Sequence, residues 1–249
     1  MLNALIFDVD GTLADTERDG HRVAFNLAFE EADLDWHWDE ATYGELLAVT
    51  GGKERMKHFL ETRDRPERHD PDIDARIRAL HAEKTKRYVE LMRQSRVPLR
   101  PGVQRLLQEA RDAGLRLAIA TTTTPENVTA LLSNTLGPDS LDWFEVIGAG
   151  DIVPKKKPGP DIYDHVLQRM NLTPEQCLAF EDSRNGILSA QGAGLKTLIT
   201  YNGYTADDDF SGAALVIDHL GDPQQPSEEL RRQTGRDFVD IDLLRELHG

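Results

Sequence analysis

The chain has 249 residues, of which 39% are hydrophobic and 29% charged, enough for a sizeable core and unlike a fibrous or disordered chain. Its 29 basic and 44 acidic residues leave a net charge of −15, a field that repels nucleic acid and anionic membranes. An anionic substrate is admitted only where cations are gathered locally, because exposed charges are screened over ~10 Å at 0.1 M salt.

The first apolar run, Ala4 to Val9, predicts a buried strand that ends in Asp8-Val9-Asp10-Gly11-Thr12. Side chains two apart leave a strand on the same side, so Asp8 and Asp10 project together at the strand's carboxyl end, where open α/β sheets bind ligands. A surface turn uses the same residue types. A calcium loop also does, but Gly11 arrives too early for one. Because no basic residue precedes the short apolar start, the run does not read as a signal peptide. With one cysteine, Cys177, and no apolar run near the ~20 residues of a membrane helix, a soluble cytoplasmic chain is expected.

Residues 15–96 show helical periodicity and no convincing strand, which predicts an inserted all-helical cap domain over 14–97. Glu17 and His21 stand four apart at its start, placed to meet a substrate's hydroxyls on closure, although His21 reads equally as a solvated helix residue. Thr50-Gly51-Gly52-Lys53-Glu54-Arg55 predicts a turn whose following helix offers N–H groups to an anion; a flexible hinge is the other reading. It is not a P-loop, since Glu54 follows Lys53. A long helix over Asp72 to Arg96 carries Ile73, Ile77, Leu80, Tyr88 and Leu91 at helical spacing, with Lys84 inside that apolar stripe and His81 three residues earlier. Either the lysine serves an anion or it snorkels.

The core resumes near Pro98-Leu99-Arg100-Pro101. Strands are predicted at Leu115 to Ala120, Phe144 to Ile147, Cys177 to Phe180, Leu195 to Thr200 and Ala214 to Ile217, with helix starts at Pro101-Gly102, Pro125-Glu126, Pro160-Asp161 and Ser183. This alternation predicts an α/β fold, a Rossmann-like parallel sheet comprising 1–13 and 98–249. Gly221 to Arg236, polar and rich in Pro and Gln, predicts loop, and Phe238 to Leu247 a last amphipathic helix. The run Leu115 to Ala120 ends in Thr121 to Thr124, whose hydroxyls and N–H groups suit phosphate or simply cap a helix. Lys157 of Lys155-Lys156-Lys157-Pro158 supplies a fixed cation, while Lys155 and Lys156 read as solvated. Glu181-Asp182-Ser183 places a second acidic pair at a strand end, where a helix cap is the other reading of Asp182 alone. Four carboxylates at one sheet edge repel unless a cation neutralises them, and an all-oxygen site of this kind suits Mg²⁺.

These motifs, in this order along nearly the whole chain, resemble the haloacid dehalogenase superfamily of aspartyl-phosphate phosphatases. The resemblance implies that Asp8 is the nucleophile, that Asp10 is the acid and base, and that Thr121 and Lys157 hold phosphoryl oxygens. It further implies Mg²⁺ held by Asp8, the Asp10 backbone carbonyl, Glu181 and Asp182. Thr16 to Arg22, Thr50 to Met56, Leu80 to Lys84, Gly150 to Lys157 and Tyr204 to Phe210 are similar to the CbbY group, which hydrolyses xylulose 1,5-bisphosphate, a Rubisco inhibitor. Substrate contacts are then expected from Glu17, Thr50, Gly51, Gly52, Lys53, Glu54, His81, Lys84, Thr122, Thr123 and Asn127, with Lys53, Lys84 and His81 on the second phosphate. The expected partner is a small-molecule sugar phosphate or bisphosphate, with no nucleic acid, no membrane and a monomeric protein. The alternatives are a β-phosphoglucomutase-like isomerase, a phosphatase of another metabolite such as phosphoglycolate, and a non-catalytic phosphosugar-binding regulator.

Overall fold

The computed structural model describes residues 1–94 and 97–249. β1 (Ala4–Phe7) lies inside a six-stranded sheet whose pairings are all parallel. Leu5 and Phe7 enter the core on one face, Ala4 and Ile6 the core on the other. Burial on both faces is why the strand reads as an unbroken apolar run.

After β1 a π-helical turn at Glu17–His21 leads into α1 (Arg22–Glu31), α2 (Glu40–Leu46), α3 (Gly52–Thr62) and α4 (Ile73–Arg93). Asp39 caps α2, its side chain accepting from the Thr42 N–H at 2.7 Å. Phe25, Phe29, Trp36, Trp38, Tyr43 and Phe59 form a cluster of their own, separate from the two cores against the sheet. Aromatic pairs such as Phe25 and Trp38, with centroids 4.7 Å apart, each add about 0.5–1.5 kcal/mol beyond the area they bury. The long helix begins and ends inside the expected 72–96 span, and Ser95 and Arg96 lie outside the described residues.

The chain re-enters beside its exit. Ala14 bridges Leu99, and the Arg100 N–H donates to the Leu13 carbonyl at 2.9 Å. There follow α5 (Val103–Asp112), β2 (Arg116–Ala120), α6 (Pro125–Thr135), β3 (Phe144–Gly148), α7 (Asp161–Met170) and β4 (Cys177–Glu181). Next come α8 (Arg184–Gly192), β5 (Lys196–Thr200) and β6 (Leu215–Ile217). Strand order is β3-β2-β1-β4-β5-β6, so the winding reverses between β1 and β4 and opens a crevice beyond their carboxyl ends. Phe7 pairs in register with Ile119 and with Phe180, and its ring stacks on Phe180 at 4.3 Å, which aligns the strand ends.

The segment 221–236, expected as loop, contains α9 (Glu228–Thr234). Ser227 caps it by accepting from the Leu230 N–H, Glu228 and Glu229 face the positive end of its dipole, and Gly235 closes it in the left-handed conformation. The capping residues outweigh the Pro and Gln content around them. α10 (Ile241–His248) follows, capped by Asp240. Among the described residues no helix is long and apolar enough to cross a membrane.

Candidate active site

The aligned strand ends deliver the functional side chains to one cavity of about 280 Å³. Its lining includes Asp8 and Asp10 beyond β1, Thr121 and Thr122 beyond β2, Lys157 from the loop after β3, and Glu181, Asp182 and Ser183 at the end of β4. The insertion adds Glu17, Gly44, Leu47, Ala48, Thr50 and Arg55. Carboxylate oxygens of Asp8, Glu181 and Asp182 lie within 4.8 Å of one another, all three buried. Lys157 donates to Asp8 Oδ1 and Glu181 Oε1, each at 2.6 Å, and the Tyr163 hydroxyl donates to the same glutamate oxygen at 2.6 Å. Gly186 is obligatory beside this cluster, because a Cβ there would overlap the Glu181 carboxylate.

One ammonium against three buried carboxylates leaves an excess of negative charge. Burial first, and the Glu181 and Asp10 charges with it, push the Asp8 carboxyl up to about 8 despite Lys157. Burial and the charges of Asp8 and Glu181 drive Asp182 well above the usual carboxylate range. A divalent cation would relieve this excess, and three carboxylates with no nitrogen or sulfur donor fit a hard ion such as Mg²⁺.

The Asp10 side chain turns to the insertion, so an expected metal contact from this residue is left to its backbone carbonyl. Its Oδ1 accepts from the Thr16 hydroxyl at 2.5 Å and faces His21 Nε2 at 2.8 Å. Lys84 Nζ stands 2.6 Å from His21 Nδ1. An ammonium can only donate, so Nδ1 accepts, Nε2 carries the proton and His21 donates it to Asp10. Burial opposes the Asp10 charge, but His21, Thr16 and Lys84 outweigh it and hold the carboxyl at about 2. Tyr88 stacks on His21 with centroids 4.2 Å apart, and the Lys84 ammonium lies over the Phe25 and Tyr88 rings. Burial lowers Lys84 to about 8.

The apolar stripe on α4 therefore buries Lys84 as expected, and its amine meets His21. His21 likewise meets Asp10, and neither lysine nor imidazole is in the cavity lining. Lys84→Met, which keeps the length and removes the amine, is expected to lower kcat about tenfold or more on bisphosphates and on p-nitrophenyl phosphate alike. That follows from ~1.5–3 kcal/mol for a hydrogen bond to a charged group. Loss on bisphosphates alone would return the amine to the remote phosphate.

The other expected contacts divide. Glu17 lines the cavity, accepts from the Tyr43 hydroxyl and stands 3.8 Å from Arg55. Thr50 lines it too, accepting from Asn185 Nδ2 at 3.1 Å. Gly51, Gly52, Lys53, Glu54 and His81 gather outside the lining, at the seam between insertion and core. There Lys53 pairs with Asp151, and Glu54 with Lys156 at 2.9 Å. Burial and the charges of Lys84, Lys53 and Lys156 depress His81 to about 3. Thr123 accepts from Asn127 Nδ2 at 2.9 Å, and neither belongs to the lining.

Arg55, Arg184, Asn185, Asn202 and Tyr204 line the cavity without having been singled out from the sequence. Arg55 had a signal, as it stands three residues after Gly52 on the opening turn of α3. Arg184 and Asn185 open α8, and Asn202 and Tyr204 follow β5, places that only the folded sheet brings together.

The family profile of haloacid dehalogenase-like hydrolases matches residues 2–194. The CbbY protein of Cupriavidus necator is 47% identical over 247 residues, covering 99% of this chain and 97% of its own. That of Rhodobacter capsulatus is 53% identical over 220 residues, covering 88% and 94%. The CbbY of Rhodobacter sphaeroides, solved in complex with xylulose 1,5-bisphosphate, is similar at a TM-score of 0.80 and 45% identity, covering 88% of this chain and 95% of that one. With the acidic cluster, the lysine and the acid–histidine pair at the crevice between β1 and β4, these matches place the chain among the haloacid dehalogenase-like hydrolases, in the CbbY group.

Proposed function

We propose that this sugar-phosphate phosphatase is Mg²⁺-dependent, works through an aspartyl phosphate on Asp8, and converts xylulose 1,5-bisphosphate to xylulose 5-phosphate and phosphate. The observation that carries the reading is the pairing, in one cavity, of the Asp8 and Lys157 cluster with a second, buried cation. Arg55 is 7% exposed and its Nε has no partner among the described residues. In a chain of net charge −15, a second phosphate needs such a fixed cation, and Arg55 supplies it. The bisphosphate bound by the Rhodobacter sphaeroides relative supports the same substrate. Lys53 and Glu54 would instead hold the insertion against the core through Asp151 and Lys156.

Asp8, Glu181 and Asp182, with the Asp10 carbonyl, would hold Mg²⁺, which when bound screens the charge between carboxylate and phosphate. Lys157 and Thr121 hold phosphoryl oxygens in place. Asp8 attacks phosphorus, the bond from phosphorus to the sugar oxygen breaks, and Asp10 protonates the departing alkoxide. Held ionised at rest by His21, Asp10 gains proton affinity when the phosphate dianion arrives beside it. Asp10 then takes a proton from water, which attacks phosphorus and frees Asp8 together with phosphate.

Phosphate release from a panel of sugar mono- and bisphosphates, with and without Mg²⁺, tests the reading. The highest kcat/KM is expected with xylulose 1,5-bisphosphate, with EDTA silencing the enzyme and Mg²⁺ restoring it. Arg55→Met should lower that kcat/KM roughly 10–100-fold while changing p-nitrophenyl phosphate little, given ~1.5–3 kcal/mol for a charge-assisted contact. Sugar interconversion without phosphate release would point to phosphoglucomutase-like chemistry. Preference for phosphoglycolate would point to another phosphatase, and binding without turnover to a regulator.

A further inference from the structure

Asn202 lies just past β5, outside the span matched by the family profile. Its Nδ2 donates to Asp182 Oδ2 at 2.7 Å. Its Oδ1 accepts from the Tyr204 N–H at 2.8 Å, and its own N–H donates to the Thr205 hydroxyl at 3.0 Å. The Tyr204 contact fixes which end of the amide is which, because a flipped amide would set oxygen against carboxylate and nitrogen against N–H. Asn202 thus presents a donor to Asp182 in one orientation only.

The segment that carries Asn202 is itself tied down. Arg100, 8% exposed, donates to the carbonyls of Thr200 at 2.7 Å, Tyr201 at 2.6 Å and Asp218 at 2.5 Å, and to that of Gly11. One guanidinium therefore clamps the end of β5 to the turn that follows Asp10. Gly11 has φ +86°, and a Cβ there would overlap both the Asp182 carboxylate and the Asn202 amide. The glycine leaves room for the two side chains to meet.

Resting on the proposed metal-dependent reaction, we infer that Asn202 is a positioning residue for Asp182. Its neutral amide occupies one carboxylate oxygen and leaves the other for the cation, and Arg100 fixes the strand end from which it reaches. A lysine in the same place would hold Asp182 as firmly but cancel the charge that binds the metal. The amide orients without neutralising.

The test is direct Mn²⁺ binding, followed by the fall of the free-ion paramagnetic resonance signal, on the full chain and on Asn202→Ala. Losing a partner that orients a metal ligand typically costs 10–100-fold in affinity, so Mn²⁺ binding should weaken roughly 10–100-fold. Half-activation by Mg²⁺ should move up by the same factor, with kcat at saturating Mg²⁺ held within about threefold. Asn202→Ser, whose hydroxyl is too short to span the contact, should show the same loss if the alanine variant does not fold. Unchanged Mn²⁺ affinity with a lowered Tm would overturn the inference and leave Asn202 as a loop anchor. If the unaltered protein binds neither ion, the metal-dependent reading falls and this inference with it. If it binds Mn²⁺ yet releases phosphate from no sugar phosphate, only the reaction falls, and the comparison of affinities still decides the role of Asn202.

Discussion

Asp8→Asn is expected to abolish phosphate release, a loss of about 10⁴-fold or more, since the amide cannot accept a phosphoryl group. The substitution is nearly isosteric, and it removes one of three carboxylates crowded around Lys157. Burial already raises the Asp8 carboxyl, so the charge is one the fold tolerates poorly in the absence of metal. Stability should therefore hold or rise, with Lys157 still paired to Glu181. Inactivity accompanied by an unchanged or higher Tm separates a lost nucleophile from a lost fold. Wild-type release from Asp8→Asn would remove Asp8 from the chemistry.

Asp10→Asn should cost roughly 10²–10⁴-fold on sugar phosphates, the usual worth of a positioned acid and base. Its amide oxygen can still accept from His21 and Thr16, so the geometry survives while proton transfer does not. The two halves of the reaction should respond differently to the leaving group. A sugar alkoxide needs a proton to depart, whereas p-nitrophenolate does not. With p-nitrophenyl phosphate the first half therefore proceeds, the second stalls for want of a base, and one equivalent of nitrophenolate should appear as a burst before slow turnover. A linear time course at wild-type rate would show that Asp10 moves no proton.

The sheet was legible from the sequence because its strands are buried on both faces, as Leu5 and Phe7 against Ala4 and Ile6 illustrate. Asp8, Lys157, Glu181 and Asp182 stand at the ends of such runs, where parallel topology brings side chains together whatever their distance along the chain. The insertion was harder to read. Helical spacing tells that Lys84 is buried, but not that its amine meets His21, because that depends on how α4 packs against the turn at Glu17–His21. Two separate clues, a lysine inside an apolar stripe and a histidine four residues after Glu17, were one structural fact. α9 escaped notice because seven residues carry little periodicity, and its signal lies in Ser227 and Gly235 at its ends. Asn202 had no signal at all, since its partner Asp182 lies past the end of another strand and the link is one hydrogen bond between loops.

The covalent step on Asp8 is tested most directly in the Asp10→Asn variant during the burst with p-nitrophenyl phosphate. Rapid quenching, reduction with borohydride and peptide mass analysis convert an aspartyl phosphate into homoserine at the residue that carried it. The account predicts homoserine at position 8 in amounts that match the nitrophenolate burst. Trapped phosphate recovered on any other residue, with position 8 still aspartate, would contradict it.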